Sequence, residues 1–84
     1  MNHTTNRTAA ELKDEVKKGL DQLKTLRDEV RVRLHLAGMD AKQEWNKLEP
    51  HLFEVEQAAR EATEASRHAI GEAVERLKKF RQSL

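Results

Sequence analysis

Apolar side chains recur every three or four residues along nearly the whole chain. They run through Leu12, Val16, Leu20, Leu23, Leu26, Val30, Leu34, Ala37, Ala41 and Trp45, then Leu48, Leu52, Val55, Ala59, Ala62, Ala69, Ala73, Leu77, Phe80 and Leu84. Such spacing gathers them on one face of a helix. The mean step is about 3.5 residues, the heptad value, with a phase shift near Leu34 that looks like a stutter. Ser66 fills one slot of the same seam. β-branched residues are scattered and never alternate, so no strand is expected. The fold class read from this pattern is all-α.

The first helix is expected to start at Thr8, because Thr8-Ala9-Ala10-Glu11 has the Thr-x-x-Glu form of a capping box. Residues 1–7 read as a polar, disordered tail, and 8–84 as a single helical domain. Two places can interrupt the helix. At Gly38-Met39-Asp40, the glycine can end one helix, and Asp40 with Gln43 can cap the next. At Asn46 to Pro50, Asn tolerates the left-handed conformation, Pro suits a first helical turn, and Glu49 is pushed from α geometry by the proline after it. An interior Pro costs about 3 kcal/mol and an interior Gly about 1. The proline site is therefore the expected turn, near residues 46–49. It divides the chain into arms of similar length that fold back as an antiparallel hairpin, with Leu12 opposite Leu84 and Val16 opposite Phe80. The seam nevertheless continues across Pro50, which also fits one long kinked coiled-coil helix. A hairpin turning at Gly38 is the third arrangement.

A lone two-helix hairpin buries one narrow seam, which rarely offsets about 1 to 2 kcal/mol of backbone entropy per ordered residue. A second buried surface is therefore expected. Val32, Leu36 and Met39 lie beside the seam of the first arm, and Ile70, Val74 and Leu77 widen the stripe of the second. These six are the predicted self-association residues, pairing two hairpins into a coiled-coil four-helix bundle, with a dimer favoured. Trp45, the single tryptophan, is a candidate partner anchor or a core plug at the turn.

Composition narrows the choice of function. Charged residues make up 37% of the 84 and hydrophobic residues another 37%, a balance suited to thin helices with one buried stripe. The net charge of +1 is spread evenly, which argues against a nucleic-acid partner. The basic run Arg76 to Arg81 reads as cations opposing a helix dipole. Acid-then-base pairs at four-residue spacing, such as Asp14/Lys18, Glu29/Arg33, Glu56/Arg60, Glu72/Arg76 and Glu75/Lys79, are expected to lace the solvent-facing backs. There is no cysteine, so disulfides and thiolate metal sites are excluded and a cytoplasmic location is permitted. No stretch reaches the roughly 20 apolar residues of a membrane span.

Candidate chemistry is sparse. Glu64, His68 and Glu72 share a helical stripe with Glu61 and Glu75 and are the weak metal-binding candidates. The Glu-x-x-His signature of di-iron bundles is missing, and a salt-bridged solvent face is the favoured explanation of the stripe. Gly19, Gly38 and Gly71 are isolated and form no phosphate loop; Gly19 and Gly71 are expected to let helices approach. No nucleophile and base stand together, and no cofactor or catalytic residue is expected. The reading is a non-enzymatic structural or protein–protein interaction module: a self-associating coiled-coil hairpin serving as scaffold, adaptor or assembly subunit, with a homo-oligomer or another helical protein as partner. The alternative is an amphipathic lipid- or granule-surface binder, since QAAREATEASRHAIGEAVERLKKF resembles, in composition alone, helices that coat lipid droplets and storage granules. A metal-binding helical bundle ranks third.

Overall fold

The computed structural model describes residues 8–84, so the tail expected at 1–7 lies outside it. The described chain is all-α, as the periodicity requires. Three helices follow one another: α1 (Ala9–Leu34), α2 (Met39–Ala58) and α3 (Glu64–Ser83). They fold up, down and up. Gly19 of α1 lies beside Ile70 of α3, and Glu29 of α1 pairs with Arg81, so α1 and α3 run parallel. α2 runs against both, with Arg27 paired to Glu56, Arg31 to Glu49, and Trp45 stacked on Phe80. The result is a slender bundle of 52 × 21 × 16 Å.

The turns are not where the proline suggested. The expected turn at 46–49 is helix: α2 passes through Pro50 without interruption. Pro50 sits on the exposed side of α2. Having no N–H, it cannot donate to the Asn46 carbonyl, but that bond is lost on a face open to water, where the loss is least damaging. The first reversal occupies residues 35–38, at the phase shift near Leu34. There the helix ends through tight bonds from Leu36 N–H to the Arg33 carbonyl and from Ala37 N–H to the Leu34 carbonyl, both 3.1 Å. Gly38 is extended (φ −75°, ψ 174°) and serves as the N-cap of α2. It therefore opens a helix instead of ending one by a left-handed turn, and no side chain caps α2.

The second reversal, at 59–63, has neither Gly nor Pro. It is made by side chains. Thr63 Oγ1 accepts from the Ser66 N–H at 3.0 Å, and Ser66 Oγ accepts from the Thr63 N–H at 2.9 Å. The Ser66 hydroxyl donates onward to the Glu61 carbonyl at 2.8 Å. These bonds form a reciprocal capping box that also ties down the preceding loop. At the start of α1, one half of the expected capping box is present: Thr8 Oγ1 accepts from the Glu11 N–H at 3.1 Å, while the Glu11 carboxylate accepts from the Thr8 hydroxyl.

Two reversals change what faces what. Leu23, Val30, Leu52 and Leu77 are fully buried, each helix supplying at least one. The hairpin register is not found: Phe80 meets Trp45, not Val16. α1 and α3 approach most closely, because Gly19 receives the Ile70 side chain and Ala69 and Ala73 line α3. Trp45, Leu48 and Leu52 fill the wider space under α2. Gly71, by contrast, faces open space and permits no close approach.

Candidate interaction surface

The self-association residues expected from sequence divide into two groups. Ile70, Val74 and Leu77 lie inside the bundle, at 2%, 5% and 0% exposure. They widen the apolar stripe of α3 because α3 has two neighbours to cover, so they are core and not surface. Val32, Leu36 and Met39 are open to solvent at 70%, 95% and 70%. Val32 lies in the last turn of α1, Leu36 stands in the turn, and Met39 begins α2, so all three fall at one end of the bundle. Phe53, which the sequence reading passed over, is also exposed, on α2. Its signal was its place one residue off the inner seam at Leu52.

Trp45 is buried, its ring 5.9 Å from that of Phe80 between α2 and α3. It plugs the core where those helices meet, and its ring is not presented to an outside partner. Such an aromatic pair contributes about 0.5 to 1.5 kcal/mol beyond the area it buries.

The charged pattern also moved. Asp14 and Lys18 pair as expected at 3.1 Å. Three other pairs cross between helices instead of running along one: Arg27–Glu56, Arg31–Glu49 and Arg81–Glu29, the last at 3.0 Å. Glu29 and Glu56 were expected to pair with Arg33 and Arg60. With a third helix present they reach cations across the grooves, where they fix register and orientation. Arg31 is held more firmly protonated than an ordinary arginine, chiefly by its hydrogen bond to Glu49. A raised basic pKa stabilises below the unfolded value, so this contribution is intact across neutral pH and fades only under strongly alkaline conditions.

On the proposed metal stripe, His68 Nε2 lies 3.0 Å from Glu72 Oε1, while Glu64 pairs with Arg67 at 2.8 Å. Glu75 pairs with Lys78 at 3.5 Å. Glu64 and Glu75 thus pair with neighbouring cations and Glu72 lies against the imidazole, instead of the three converging. Among the described residues, no group of three or more His, Asp or Glu is placed to hold an ion.

The concave features are open grooves between helices. One of about 500 Å³ lies between the start of α1 and the end of α2, lined by Val16, Leu20, Ala59 and Ala62 together with Lys13 and Arg60. Another, of about 380 Å³, runs between α2 and α3 past Glu44, Lys47, Arg76 and Phe80. Neither brings a nucleophile to a base. No helix among the described residues is long and apolar enough to cross a membrane. No protein-family model, curated protein or solved structure matches the chain.

Proposed function

We propose that the protein is a non-enzymatic interaction module, a helical bundle that assembles with copies of itself and serves as a scaffold, adaptor or assembly subunit. One observation carries this reading: Val32, Leu36 and Met39 are three large apolar side chains at and beside the α1–α2 reversal, all strongly exposed. Exposed apolar residues are ordinary when scattered; three within eight residues of one another, beside a chain reversal, support a contact surface. The core closes without them, which leaves them free to meet another molecule.

Helix-face recognition is the mechanism, with charged flanks selecting partner and orientation. A lipid- or granule-coating role draws less support, because Ile70, Ala73, Val74 and Leu77, the apolar side of α3, are inside the bundle. The lack of cysteine suits a reducing compartment such as the cytoplasm.

The test is sedimentation at rising concentration. The wild-type chain is expected to associate at micromolar concentration, and Leu36→Glu to shift it toward monomer with helical circular dichroism unchanged. A folded monomer throughout that range overturns the proposal.

A further inference from the structure

The solvent side of α2 has a pattern of its own. Met39, Gln43, Asn46, Pro50, Phe53 and Gln57 are all exposed, and they follow one another at alternating steps of four and three residues. That is heptad spacing, on the side of α2 opposite its core-facing seam. None of the six is charged, although about half of the exposed described residues are. The other helices supply the internal comparison. The outer positions of α1 are Asp14, Lys18, Asp21, Thr25, Asp28 and Val32, and four of these six carry a charge. On α3 the outer positions are Glu64, His68, Glu72, Glu75, Lys79 and Gln82, and again four are Asp, Glu or Lys.

We propose that this face of α2 packs against the same face of α2 in a second copy of the chain. A two-fold contact sets one patch against itself, so a charge near the axis faces its own copy, and a charge farther out needs an opposite partner at the symmetry-related position. An uncharged seam avoids both constraints. Carboxamides carry both donors and acceptors, so Gln43, Asn46 and Gln57 pair with their own kind. Met39 and Phe53 supply apolar contact, and the Asn46 carbonyl, to which Pro50 cannot donate, is a further acceptor on the seam. Polar groups in such a seam fix register while keeping association modest. A membrane surface would select a cationic border, whereas here Lys42 and Glu49 border one side of the face and Lys47 and Glu54 the other. The inference rests on the self-association reading above and extends its surface from Met39 along α2.

The test places one charge at a time on each outer face of the full chain and measures sedimentation equilibrium alongside circular dichroism. Phe53→Glu and Gln43→Glu, both at exposed positions, are expected to weaken dimerisation by about tenfold or more while helix content holds. Thr25→Glu on α1 and Gln82→Glu on α3 are expected to leave it unchanged. If Leu36→Glu dissociates the assembly and both α2 variants do not, the α2 surface is overturned and the self-association reading stands. If the wild-type chain stays monomeric at every concentration, both fall.

Discussion

Single residues decide whether these helices fit, and glycine shows it best. A Cβ at position 19 would meet Ile70 Cγ2 at 2.6 Å, and Ile70 is a core residue with little room to retreat. At position 71 the same methyl meets nothing within 4 Å. Identical substitutions should therefore have opposite signs. Gly19→Ala is expected to lower stability by about 1 to 2 kcal/mol, because overpacking outweighs the gain in helix propensity. Gly71→Ala should raise it by about 0.5 to 1 kcal/mol. Urea denaturation of the pair, read as midpoint shifts at constant slope, checks both. Ser66 is the other decisive residue. It is 4% exposed, and its hydroxyl accepts from Thr63 while donating to Glu61. Ser66→Ala leaves the Thr63 N–H and the Glu61 carbonyl without that partner, and a loss of about 1 to 3 kcal/mol is expected in the same assay.

At the scale of the element, the instructive case is α2. Proline is a strong breaker, and weighing its penalty against that of Gly38 placed the turn at 46–49. What decides the outcome is the face on which Pro50 falls. On the solvent side a missing N–H is tolerable, and α2 keeps its core face of Trp45, Leu48, Leu52 and Val55 through the proline. Pro50→Ala should accordingly stabilise the fold, by about 1 to 2 kcal/mol once the looser unfolded chain is counted. Destabilisation by that change would mean that Pro50 serves a turn. The first helix was legible, cap included, and so was Gly38 as a site of interruption. The turn at 59–63 was hidden because Ala58, Ala59, Arg60, Glu61 and Ala62 are all good helix formers that continue the seam. Its visible trace was a hydroxyl, Ser66, in an apolar slot three residues after Thr63. The candidate surface was half legible. Val32, Leu36 and Met39 stood out in sequence, but whether Ile70, Val74 and Leu77 faced solvent depended on the number of helices.

The whole molecule resolves the difficulty that a two-helix hairpin poses. Three helices give each apolar stripe two neighbours, so the bundle encloses Leu23, Leu52 and Leu77 in one core without help from outside. Pairs that cross between helices hold the arrangement. Arg27 and Glu56 are each only about one-fifth exposed, and Glu56→Ala is expected to cost about 1 to 2 kcal/mol by stranding a half-buried guanidinium. Topology has a direct measure in spin labels at positions 12 and 82. In the parallel α1/α3 register they sit about 27 Å apart along the axis, at 1.5 Å per residue. A hairpin turning at the proline would bring them side by side. The same register sends Thr8 and Leu84 to opposite poles of the rod. A tether pulling on both ends would load α1 and α3 lengthwise, so the core must slide in shear before any helix can peel away. A strut built this way keeps its length under tension, whereas a hairpin held by adjacent ends would unzip one turn at a time.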